Sequence, residues 1–291
     1  MKLRRAAEIL FFYTLLVILW GAWVRISHSG DGCGESWPLC QGEFVPGTSH
    51  GKTWVEYTHR LMSGFYGLFV FGLWWAVVKV APAGSGRRRA AHAVLIFTIT
   101  EALLGAKLVI FGLVSANSSW GRTFAMSLHQ LNSLLLTGSV TLLWMSLSNP
   151  ALRWRPRGAF VGLIFLAIAV TGAWAALAST LFPSENLWEG LMKDFAPDSH
   201  HLLRLRVLHP LSALLGGGGL AVYLWMKGFD QTGPERRLHQ QTAVFLFGGL
   251  LFGILTLLML SPVWMKLAHL GLAHLLWAAL VRWGFTPKPG V

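Results

Sequence analysis

Four of the eleven histidines, His59, His129, His209 and His269, stand inside long apolar runs rather than among charges. A neutral imidazole offers one nitrogen to a metal and leaves the other to bond a neighbour. A lone histidine in an apolar helix usually just hydrogen-bonds the next helix. Four of them, each several residues from one end of its run, point to a ligand set. Two more groups keep them company: Glu56 lies three residues before His59, and Arg206 three before His209. Such an acid can relay protons during an oxidation, whereas an arginine offsets the charge of carboxylates. The plainer reading of Glu56 is an interfacial acid paired with Arg60 or Lys52. Cys33 and Cys40 are the only cysteines, so an iron–sulfur cluster or covalently attached haem has no ligands here.

The elements that must position these groups follow from composition. Among 291 residues 54% are hydrophobic and only 12% charged, with a mean hydropathy of +0.54. Soluble chains carry about a quarter charged residues, so the expectation is an all-α integral membrane protein. Crossing a bilayer takes about 20 mainly apolar residues. Eight stretches qualify, roughly 7–26, 54–80, 90–114, 123–147, 158–182, 202–226, 240–260 and 263–284. The first follows Lys2, Arg4 and Arg5 but shows no cleavage site, and it is expected to be a retained helix. The segment 176–201 mixes apolar and charged residues and reads as a structured loop at the interface.

The net charge of +12 suggests nucleic acid in a soluble protein, but here it marks topology. With the N-terminus inside, Arg87–Arg89, the arginines at 153, 155 and 157, and Lys288 all fall on the inner side, as the positive-inside bias requires. Both termini are therefore expected inside the cell membrane, with the long connections 27–53 and 183–201 outside. Cys33 and Cys40 then share an oxidising exterior, where a structural disulfide is favoured over a redox pair.

The eight stretches repeat in two sets of four. Gly21-Ala22-Trp23 recurs as Gly172-Ala173-Trp174, His59 as His209, Leu103-Leu104-Gly105 as Leu251-Phe252-Gly253, and His129 as His269. The expected architecture is two pseudo-symmetric four-helix bundles, 1–150 and 151–291, each with one histidine pair. Paired histidines on facing helices are how a bundle holds a haem iron from both sides. Small residues after the ligands, Ser63, Gly64 and Gly67, then Ser212, Ala213 and Gly216–Gly219, would let a flat ring approach. Zinc or copper on four histidines is the other reading. The remaining histidines, His28, His50, His92, His200, His201 and His239, read as solvated or interfacial.

At this level the sequence resembles the haem A synthases. The resemblance is carried by Val24-Arg25, by Ser29-Gly30-x-Gly32-Cys33-x3-Trp37-Pro38-Leu39-Cys40-x-Gly42, and by Glu56-Tyr57-x-His59-Arg60, and it extends over all eight stretches. It implies oxidation of the C8 methyl of haem O to a formyl group. It also implies His59 and His129 as the substrate haem O ligands, and His209 and His269 as ligands of a haem b cofactor, with both sites toward the outer face. Glu56 is the expected catalytic group, and Arg206 the expected cofactor-binding residue. A haem O synthase and a quinone or other redox partner are the expected associates; nucleic acid is not, and homo-oligomerisation is left open. The chain departs from the family at two points. It lacks a second cysteine pair after the fifth stretch, and it carries Glu101 where an amide is usual. His274 lies about 140° round the helix from His269 and is the alternative ligand. A dihaem quinol-linked electron carrier and a haem-binding assembly chaperone are the competing functions.

Overall fold

The computed structural model describes residues 2–47, 50–149 and 152–287; Lys288 lies outside them. It contains eight helices long and apolar enough to cross a membrane. The chain divides into two units, Met1–Leu152 and Arg153–Val291.

In the first unit, α1 (Lys2–Ile26), α2 (Gly51–Val80), α3 (Gly86–Ile110) and α4 (Trp120–Ser148) follow one another. Each packs on the next, and α4 returns to α1, closing a ring. Ser85 and Ser119 cap α3 and α4 by accepting backbone N–H groups that the first turn would otherwise leave orphaned. Without water to satisfy them, polar side chains inside the apolar zone bond across helices. Tyr13 donates to the carbonyl of Met62, Trp20 to that of Val55, and the hydroxyls of Thr14 and Tyr66 meet at 3.0 Å. Large apolar side chains such as Phe12, Phe65 and Leu68 instead cover the outside. On a soluble monomer that surface would be a liability.

The second unit repeats the ring with α5 (Pro156–Leu181), a short helix α6 (Leu187–Phe195), and the spanning helices α7 (His201–Phe229), α8 (Gly233–Leu258) and α9 (Val263–Gly284). Again each spanning helix touches the next and α9 returns to α5. Three-residue strands, Leu152–Trp154 and Phe285–Pro287, flank the unit in the chain. The expected loop at 176–201 therefore contains a helix. Asn186 caps α6, and Leu187, Leu191 and Phe195 recur at helical spacing. α7 is interrupted: its α-helical pieces end at Arg206 and resume at Leu208, and Ala213–Gly217 is a π-turn. Pro210 has no N–H to give the carbonyl of Arg206, which accounts for the break.

Both long connections are tied down by an arginine. Cys33 and Cys40 are joined in a disulfide, and Arg60 of α2 donates to the carbonyls of Ser36 and Leu39 within that loop. In the second unit Arg206 donates to the carbonyls of Gly190 and Phe182 and to the Asp194 carboxylate, fixing α6. The disulfide loop also lies directly on the start of α2. A Cβ at Gly32 would fall 2.6 Å from the backbone of Lys52. Gly32→Ala should therefore push the loop off α2 and cost about 1–3 kcal/mol, seen as a lowered melting temperature in detergent. Gly47→Ala, whose Cβ would meet nothing closer than 3.7 Å, should melt as the parent does.

Candidate functional site

The four intramembrane histidines sit on α2, α4, α7 and α9, two in each unit. Three of the rings rest on a glycine of a neighbouring helix where a Cβ would crowd them. A Cβ at Gly21 of α1 would lie 3.0 Å from His59 Cε1, and one at Gly172 of α5 equally close to His209. Gly253 of α8 stands in the same relation to His269 at 3.0 Å, whereas a Cβ at Gly105 of α3 would meet His129 only at an ordinary 3.9 Å. A glycine inside a helix costs about 0.5–1 kcal/mol relative to alanine. Here it gives an imidazole room to lie against the backbone.

Within each unit the two histidines face one another across the ring. The His209 and His269 centroids are 6.2 Å apart with planes at 69°. Two imidazole–metal bonds of about 2.0–2.1 Å each, added to the reach of each ring, span such a gap. His59 and His129 are near enough to interact electrostatically. Nδ1 of His59, His129 and His269 is buried without a hydrogen-bond partner, though at His129 the Glu101 carboxylate stands 3.6 Å away. His209 Nδ1 faces the Ile168 carbonyl at 3.2 Å and the Thr171 hydroxyl at 3.4 Å. A carbonyl that accepts from the distal N–H of a metal-ligating imidazole is a usual support. Phe252 stacks on His269 at 6.1 Å. Among the described residues no three or more His, Cys, Asp or Glu gather as a closed metal site needs. The histidines meet in twos, a donor set that fits haem in both units and zinc in neither.

The groups around the pairs differ between units. Glu56 is 3% exposed; Oε1 accepts from Arg60, and Oε2 accepts from the Cys33 N–H at 2.8 Å. The arrangement is the ion pair with Arg60 that the i,i+4 spacing allows, extended into the disulfide loop. Glu101 lies beside His129, Oε1 to Nδ1 at 3.6 Å, and its other oxygen accepts from Asn132 at 2.6 Å. Asn132 also donates to the Phe97 carbonyl and accepts from Thr100, so Glu101 is built into the α3–α4 contact. The matching residue of the second unit is Gly249, against which Leu276 packs. Arg206 gives Nε and Nη2 to Asp194.

One expectation about the remaining histidines needs correction. His239 is not interfacial: it is 4% exposed, its Nδ1 meets the Glu235 carbonyl at 2.9 Å, and Trp283 lies edge-on at 5.6 Å. His92, by contrast, stays half-exposed, with the Trp74 indole N–H donating to its Nδ1 at 3.0 Å. Nothing lies within 4 Å of a Cβ at Gly64 or Gly67, which leaves open space beside them, while Gly216 packs on Ile164 and Ile168. The glycines that admit the imidazoles are a separate set, on α1, α5 and α8. They were visible as repeats, though only the neighbouring helix reveals their use. His274 is fully buried, whereas His269 holds the ring contact with His209.

Comparison with known proteins decides the family. The cytochrome oxidase assembly protein family (COX15-CtaA) matches residues 4–281. The chain belongs to that family. A heme A synthase of Shouchella clausii is 33% identical over 233 residues, 73% of this chain and 72% of that protein. One of Symbiobacterium thermophilum is 42% identical over a shorter stretch, 33% of this chain and 31% of that protein. A Thermus thermophilus protein named protoheme IX farnesyltransferase is 36% identical over 92% of this chain, but the match covers 46% of that protein. The chain thus spans about half the length of such relatives.

The glycine seats should matter as much as the imidazoles they admit. If the His209–His269 pair holds haem, Gly172→Ala or Gly253→Ala should displace the imidazole and lower the low-spin absorbance of the purified protein several-fold. Gly67→Ala, facing open space, should leave the spectrum unchanged.

Proposed function

We propose that this protein is a haem A synthase of the cell membrane. It would oxidise the C8 methyl of haem O in two successive steps, the second giving a hydrated aldehyde that loses water. The observation that carries the reading is the repeated pair: two cross-ring histidine pairs, each imidazole beside a neighbouring-helix glycine, in a member of the cytochrome oxidase assembly family. His59 and His129 would hold the substrate haem, and His209 and His269 a resident haem b. When bound, haem b supplies a one-electron redox centre between the substrate site and an external quinone or similar partner.

The difference between the units supports this division. Glu56 is one helical turn from His59, held by Arg60 and the Cys33 N–H, and so positioned to move a proton at the reacting edge. The corresponding place beside His209 holds Arg206, a cation for cofactor carboxylates whose charge Asp194 partly balances. Names among the relatives support the substrate class. A relative named for farnesylating protohaem includes a region like this chain, consistent with a farnesylated haem passed on by a partner synthase. The histidine pairs lie toward the ends of α2, α4, α7 and α9 that adjoin the disulfide loop or α6, which would place both sites toward the outer face.

Two tests follow. His209→Ala or His269→Ala should strip haem b from the purified protein; a variant with its full low-spin spectrum would overturn the cofactor assignment. Co-expression with a haem O synthase should yield extractable formyl-haem, which neither a dihaem carrier nor a chaperone makes. In that system Glu56→Gln should retain haem b and lower formyl-haem formation by about 10²–10⁴-fold. Normal turnover in Glu56→Gln would remove it from the chemistry.

A further inference from the structure

Two arginines in the first unit have no part in the reading above. Arg25 lies four residues beyond Gly21, the seat of His59, and so shares its face of α1 one turn nearer the disulfide loop. Arg122 precedes His129 by seven residues, two turns and about 10 Å along the same face of α4. The helices run so that both arginines come to the same end of the bundle, and there their charges act on each other. Arg25 is half-buried, and Arg122 is 2% exposed.

Arg122 is satisfied only in part. Its Nη1 donates to the carbonyls of Ser115 and Asn117, both at 2.6 Å. These acceptors are neutral, so they leave its charge uncompensated. Its Nε is buried with no acceptor, and so is the hydroxyl of Ser115. Bringing two cations together in an apolar bundle, with donors unused, is costly unless an anion joins them. Among the described residues the second unit does not repeat these two arginines. The repeat offsets place Ala176 opposite Arg25 and Pro262 opposite Arg122.

We propose that Arg25, Arg122 and the Ser115 hydroxyl form a carboxylate pocket that takes a propionate of the haem held between His59 and His129. The proposal rests on the haem reading of that pair and adds how the macrocycle is oriented. Two axial histidines alone leave the ring free to turn about their common axis. A charged anchor two helical turns from the ligands stops that rotation. One propionate and the C8 methyl are substituents of the same pyrrole ring. Anchoring that carboxylate therefore brings the C8 methyl to the end of the bundle where Glu56 lies.

The test uses the full-length protein with its C-terminal pair already filled by its own haem. A second equivalent of haemin, or of haemin dimethyl ester, is titrated in detergent and followed by the Soret shift. The ester should bind about ten- to hundredfold more weakly than the free acid, the range of a charge-assisted hydrogen bond. Arg122→Gln should weaken the free acid by a similar factor and leave the ester unchanged, and Arg122→Lys should restore part of the loss. The ester comparison in the parent protein stands even if the arginine variants fold poorly. Equal binding of acid and ester would overturn the pocket. His59→Ala and His129→Ala should weaken both probes alike; if neither does, the haem reading of the pair fails and takes the pocket with it.

Discussion

An imidazole lying on a helix with no side chain beneath it is the contact on which the rest depends. Inside a bilayer there is no hydrophobic force pulling helices together, so packing and a few polar contacts set their spacing. The glycines at 21, 172 and 253 let three rings lie closer to neighbouring helices than a Cβ would allow. That approach fixes which way each ring points, and hence the 6.2 Å gap between His209 and His269. The arginine clamps act at the next level. Arg60 and Arg206 bind each unit's long connection to the helix carrying the first histidine of the pair. Loop, helix and ligand are thereby one mechanical piece.

The same frame is dressed differently in the two units. Glu101 with Asn132 occupies a place that Gly249 and Leu276 fill with hydrocarbon in the second unit. Arg25 and Arg122 face Ala176 and Pro262 in the repeat. Acid, amide and cation thus gather around the first pair, whereas beside the second the charged groups are Arg206 with Asp194 and Lys266, tied to the Ser179 carbonyl.

Much of this was legible in the residues. Eight apolar runs could hardly be missed, because a spanning helix averages its signal over some twenty residues. Their ends were less clear: the third run was extended to 114, whereas Phe111 and Gly112 turn the chain after Ile110. The histidines were legible from their repeat, since neighbours on a helix could not supply that order. α6 went unread because charges at 189, 193 and 194 masked the spacing of Leu187, Leu191 and Phe195. The burial of His239 depends on Trp283, a partner far along the chain that no local pattern announces. For the same reason the glycines could be counted but not assigned, and Arg122 could not be told from a surface cation.

The π-turn at Ala213–Gly217 has a consequence for ancestry. A π-turn holds one residue more than an α-turn, which is how a helix absorbs an insertion without breaking. The corresponding α2 runs unbroken from Gly51 to Val80. If the two units descend from one duplicated ancestor, the second accepted an extra residue just beyond His209 and kept the histidine in register. The portion of α7 after the π-turn is then rotated relative to its twin. Each copy could therefore drift in what it presents at that end while both preserved the grip at the other.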